Sequence, residues 1–113
     1  MHEFGIVQNI VDQAVAAGAK HGAKRITTIY LKLGQLNEIE PSTVEFLFAG
    51  MSRGTMAEGA KVETELVSSS LECRRCGHSF SATSRVTACP HCGSADYKVL
   101  KGDELIIESL DVE

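Results

Sequence analysis

The chain has 113 residues, 43% of them hydrophobic, no tryptophan, only two prolines and a formal net charge of −4. That length suits one compact unit, or one domain with a small attached module, around a mostly aliphatic core. The acidic balance argues against general binding to nucleic acid or to acidic membrane surfaces. No signal peptide and no transmembrane run is legible, so the expected setting is the cytoplasm.

Residues 4–17 carry Ile6, Val7, Ile10, Val11, Ala14 and Val15 at i, i+3/i+4 spacing. The pattern predicts an amphipathic helix that stops near Gly18 or Gly22. Residues 26–33, ITTIYLKL, are rich in β-branched side chains and predict a strand closed by Gly34. After a loop to Glu40, Pro41 suits the first turn of a second helix. Its Val44, Leu47, Phe48 and Met51 fall on one face. Residues 61–67, KVETELV, alternate as a half-buried strand, and residues 104–110, ELIIESL, predict a last one.

Between those two strands stand Cys73, Cys76, Cys89 and Cys92, as two C-x-x-C pairs each followed by glycine. Two intervening residues let both sulfurs of a pair turn toward one ion, and two such knuckles supply four soft thiolates. That is the donor set of a tetrahedral structural zinc site with no open position for catalysis. Two disulfides are disfavoured in a reducing compartment, and a thioredoxin-like redox motif comes once rather than twice. His78 and His91 adjoin the knuckles and are candidate substitutes for thiolates or exposed side chains. Residues 71–101 hold five basic and two acidic groups, which suggests a basic module on an acidic body.

The expected fold is α+β: two helices on a small three-stranded mixed sheet, with an inserted zinc-ribbon-like module. Residues 1–70 plus 101–113 form the body, and residues 71–100 form the module. The last strand lies beyond the module and has to return to the body's sheet to be buried. Such a strand could also be exchanged between subunits of a homodimer.

The chain opens Met1-His2-Glu3. The Met1 amine, the His2 backbone nitrogen and the His2 imidazole can close adjacent chelate rings on one ion, a nitrogen-rich planar set suited to Ni(II) or Cu(II). Glu3 could add an oxygen or orient the imidazole. By position alone a His at the second residue is far more often an exposed chain end than a ligand, and a Glu there complements the helix dipole, so metal specificity has to come from context.

Taken in order, the terminal MHE, LKLGQL after a strand, Pro41 opening a helix with Phe46 and Phe48, CRRC, CPHCGS and GDELII near the end resemble the HypA/HybF family of hydrogenase maturation nickel metallochaperones. The resemblance covers the whole chain. It implies a cytoplasmic, non-enzymatic carrier of Ni(II) for [NiFe]-hydrogenase maturation, and sometimes for urease. It implies a HypB-type GTPase and the hydrogenase large subunit as partners. By that pattern His2 is the nickel ligand with Met1 and Glu3 beside it, the four cysteines hold Zn(II), and Glu40 lies where a backbone group can approach the nickel. The alternative function is a zinc-ribbon adaptor that binds nucleic acid or a protein. The module offers only Phe80 and Tyr97 for stacking, and the chain contains neither a phosphate-binding glycine loop nor H-E-x-x-H.

Overall fold

The computed structural model describes the backbone of residues 2–113 and side chains from Glu3 onward. The elements are helix α1 (His2–Lys20), strand β1 (Ile26–Gly34), a 3-10 turn (Gln35–Asn37), helix α2 (Pro41–Met51) and strands β2 (Lys61–Val67), β3 (Ser70–Cys73), β4 (Ser79–Phe80), β5 (Tyr97–Lys101) and β6 (Leu105–Val112). The strands form two three-stranded sheets, ordered β2-β1-β6 and β4-β3-β5. The fold is α+β as expected, and the last strand does return to the first sheet, at its edge beside β1.

The chain packs as two compact units. The first takes Met1–Lys32, Ile39–Glu65 and Ile106–Glu113; the second takes Leu33–Glu38 and Leu66–Leu105.

In the first unit the apolar stripe of α1 is buried at Val7, Ile10, Val11 and Ala14. The helix stops where the sequence pattern says it should. Gly22 adopts φ +69°, the Ala23 N–H donates to the Gly18 carbonyl at 2.9 Å, and the Gly22 N–H donates to Ala19 at 3.1 Å. This is a Schellman cap, which satisfies the last carbonyls and needs a residue without a Cβ penalty at positive φ. Lys20 lies in the final turn, where the helix dipole favours a cation. Before α2, Glu40 is extended (φ −74°, ψ 141°), as the residue preceding a proline must be, and Pro41 then occupies the first turn. The α2 stripe buries Val44 and Phe48, while Phe46 points to solvent. Gly50 does not end the helix, which runs through to Met51. Ile26, Ile29 and Leu31 of β1, Val62 of β2, and Ile39 and Ala57 from the connections complete this core. At its far end β6 is antiparallel to the start of β1: Lys24 N–H donates to Glu113 O at 2.8 Å, and Glu113 N–H returns a bond to Arg25 O at 2.8 Å.

The second unit is larger than the stretch 71–100 expected from the sequence. It includes the end of β1, the 3-10 turn and the residues on both sides of the cysteine segment. Its sheet is antiparallel on both sides of β3: Leu71 opposes Phe80 of β4 and Val99 of β5. Its buried apolar side chains among the described residues are Leu33, Leu36, Leu71, Cys73 and Cys89. Within these boundaries the basic residues are Arg74, Arg75, Arg85, Lys98 and Lys101, and the acidic ones are Glu38, Glu72, Asp96, Asp103 and Glu104. Five against five leaves the unit neutral, because Glu38, Asp103 and Glu104 offset the basic excess of the stretch 71–101 within it.

Candidate metal centre

Cys73 ends β3, and the chain reverses at once. Gly77 N–H donates to Cys73 O at 3.0 Å, Cys76 N–H points at Cys73 Sγ (3.5 Å), and Cys73 N–H donates to His78 O at 2.9 Å. The second pair repeats the turn. Gly93 N–H donates to Cys89 O at 2.8 Å, His91 N–H points at Cys89 Sγ (3.4 Å), and Cys89 N–H donates to Ser94 O at 2.8 Å. Gly77 and Gly93 both have φ +77°, a conformation that costs a side-chain-bearing residue more than glycine. Pro90 occupies the position between Cys89 and His91, where the turn calls for no N–H donor. The two knuckles are therefore the same device used twice, each aiming backbone N–H groups at a sulfur.

The four Sγ atoms converge to within 4.8 Å of one another. Across the knuckles, Cys73 Sγ lies 3.6 Å from Cys92 Sγ, and Cys76 Sγ lies 3.7 Å from Cys89 Sγ. A tetrahedron with metal–sulfur bonds of about 2.3 Å has sulfur–sulfur edges of about 3.8 Å. These two distances are close to that figure, and both greatly exceed a disulfide bond of about 2.05 Å. All four cysteines are free thiols. Cys73 and Cys89 are buried, and Cys76 and Cys92 are exposed.

The cluster polarises its own thiols. The Cys76 N–H hydrogen-bonded to the Cys73 sulfur pulls the Cys73 pKa down to about 6, against desolvation, with the Arg75 N–H and the neighbouring sulfurs assisting. For Cys76 the His78 N–H acts in the same direction. Desolvation and the sulfurs of Cys89, Cys92 and Cys73 outweigh it and push the Cys76 pKa up to about 12. Four sulfurs this close cannot all be anionic unless a cation lies among them. A unit with so few buried apolar residues also needs a cross-link to fold alone. Geometry, charge and core size all fit a tetrahedral divalent metal.

Among the described residues, this is the only group of His, Cys, Asp and Glu side chains placed to share an ion. His78 and His91 are not part of it. Their rings stack on each other, with centroids 5.4 Å apart, and His78 lies parallel to Phe80 at 6.5 Å. Glu3 is half-buried in the first turn of α1, and Glu40 is exposed, its carbonyl accepting the Thr43 and Val44 N–H groups. Met1 and the His2 side chain, the expected nickel ligands, lie outside the described residues. Sequence reasoning missed Gln35, Asn37 and Ser69, which tie the second unit together. A turn-forming glycine followed by two amide side chains was the available signal. No described helix is long and apolar enough to cross a membrane.

Comparison with known proteins fixes the context. The family model described as "Hydrogenase/urease nickel incorporation, metallochaperone, hypA" matches residues 1–112. The hydrogenase maturation factor HypA of Chlorobium limicola is 39% identical over 113 residues, covering 100% of this chain and 97% of the relative. That of Desulfitobacterium hafniense is 34% identical over 113 residues, covering 100% and 99%. In fold, the chain is similar to the solution structure of the Ni metallochaperone HypA from Helicobacter pylori, with a TM-score of 0.70, 20% identity and coverage of 97% and 96%. A second HypA solution structure gives a TM-score of 0.67 at 21% identity, covering 100% and 97%. On a family match along essentially its whole length and relatives above one-third identity, the chain belongs to the HypA family of nickel-incorporation metallochaperones.

Proposed function

We propose that this chain carries Ni(II) as cargo on its first residues and releases it during [NiFe]-hydrogenase maturation, while the four cysteines hold Zn(II) as a resident structural ion. As a member of a metallochaperone family it is not an enzyme. The observation that supports the reading is the whole-length family match combined with four cysteine sulfurs that converge to within 4.8 Å of one another.

In the metal unit, Cys73, Cys76, Cys89 and Cys92 would hold Zn(II), which supplies a cross-link between the knuckles and leaves no coordination position for cargo. The chain's own residues prepare that site: the Cys76 N–H stabilises negative charge on the Cys73 sulfur before any ion arrives. For the cargo, the Met1 amine, the His2 amide nitrogen and the His2 imidazole form the donor set, with Glu3 as a further oxygen or an orienting group. Nickel(II) favours such a planar nitrogen set over the thiolate tetrahedron that suits zinc. The partners that fit are a HypB-type GTPase and the hydrogenase large subunit, in the cytoplasm, with urease as a second client and a homodimer as one assembly state. A nucleic-acid adaptor loses its electrostatic support, because the cysteine-bearing unit is neutral.

Elemental analysis with Ni(II) titration of the wild type and His2→Ala tests this. One zinc per chain is expected in both, with nickel binding lost only in the variant. Undiminished nickel affinity in His2→Ala would reject the terminal site, and absence of zinc from the wild type would reject the structural-ion assignment.

A further inference from the structure

We infer that Gln35 and Asn37 are positioning residues that fasten the segment between β1 and α2 to the cysteine-bearing unit, so that the order of Leu33–Glu38 depends on the metal. The inference rests on the zinc reading above. Three separate stretches meet in this unit: the segment itself, the incoming chain at Ser69, and the outgoing chain at Gly102–Glu104. Asn37 Nδ2 donates to Gly34 O at 3.1 Å and to Glu104 O at 2.7 Å. Gln35 Oε1 accepts the Ser69 N–H at 3.1 Å. Leu36 N–H donates to Gly102 O and Gly34 N–H to Glu104 O, at 2.8 and 2.7 Å. One amide side chain thus holds the exit of the cysteine segment, and the other holds its entry.

The connection continues inward from Ser69. The Ser69 hydroxyl donates to Ala82 O at 2.5 Å and accepts Ala82 N–H at 2.8 Å, while Ser81 Oγ donates to Ser69 O at 2.9 Å. Ala82 lies in the stretch between β4 and the second knuckle. Leu33 and Leu36 are buried among the unit's few apolar side chains. Glu38 holds φ +55°, a conformation that non-glycine residues keep only when their surroundings enforce it, and its N–H donates to Gln35 O at 3.2 Å. If the knuckles lose the ion that cross-links them, the partners of Gln35, Leu36 and Asn37 lose their fixed positions. The influence of the structural metal then reaches to within two residues of Glu40.

Amide hydrogen exchange on zinc-loaded and chelator-stripped protein, with metal content measured in parallel, tests the inference. Stripping should raise exchange at Leu36 and Ser69 by at least about tenfold, together with Cys73 and Gly77, while Val44 in α2 keeps its protection. Asn37→Ala, and Asn37→Asp, which keeps the shape but loses both donors, should retain one zinc yet expose Gly34 and Leu36 to faster exchange. Leu36 and Ser69 staying protected while Cys73 and Gly77 open would overturn the coupling, as would unchanged exchange in both Asn37 variants. A wild-type protein that carries no zinc would instead remove the reading on which the inference stands.

Discussion

Gly34 and Gly102 pass so close that a Cβ placed on Gly34 would lie 2.1 Å from the Gly102 carbonyl oxygen and 2.6 Å from the Glu104 nitrogen. Both obstructing atoms are backbone, so neither can swing aside. Gly34→Ala should therefore destabilise the protein by about 1–3 kcal/mol or more, the usual range for overpacking a tight site. Chemical denaturation followed by circular dichroism would measure it, and a variant as stable as the wild type would contradict the close approach.

Ser69 is almost fully buried, and its hydroxyl both donates to and accepts from Ala82. Ser69→Ala leaves that backbone N–H and carbonyl without this partner. A loss of about 1 kcal/mol is expected, the net worth of a typical hydrogen bond, because Ala82 is only half-buried. Amide exchange at Ala82 should accelerate while zinc stoichiometry stays at one.

Zinc affinity should rise with pH. Binding needs four thiolates, yet near pH 7 Cys76, pushed up to about 12, still carries its proton, while Cys73, held at about 6, has lost its own. Each proton displaced on loading makes affinity change by about tenfold per pH unit. As the pH falls through 6, Cys73 also becomes protonated, one more proton must leave, and the dependence steepens. Competition with a chromophoric chelator between pH 5 and pH 8 would trace the slope; a flat profile would show that the sulfurs are deprotonated before the ion arrives.

Phe48 is the largest of the fully buried side chains and belongs to the first unit. Phe48→Ala should cost about 3–5 kcal/mol through lost transfer energy and a cavity. The four cysteines lie in the second unit, so zinc stoichiometry measured by elemental analysis should not change. Loss of the metal in this variant would mean that the two units fold as one.

Much of this architecture is legible in the amino-acid sequence. Helix α1 declared itself through Val7, Ile10, Val11 and Ala14, and its stop through Gly18 or Gly22, because apolar periodicity over several turns and a glycine free to take positive φ are strong local constraints. The knuckles were legible for the same reason: a C-x-x-C-G turn is closed by bonds within five residues. Strands β3, β4 and β5 were not. Ser79–Phe80 is too short to show any alternation, and the knuckles rather than side-chain patterning set its pairing with Leu71 and Glu72. That Leu33–Glu38 joins the cysteine-bearing unit was not legible, because its partners Ser69, Gly102 and Glu104 are some 30 to 70 residues away in sequence. No local window contains such bonds.

The alternation of buried Cys73 and Cys89 with exposed Cys76 and Cys92 gives the sulfur cage an inner and an outer hemisphere. Attack from solvent, whether by a competing chelator or by an electrophile, meets the outer pair first. An ion held there would be stripped in stages, with the inner two sulfurs the last to let go.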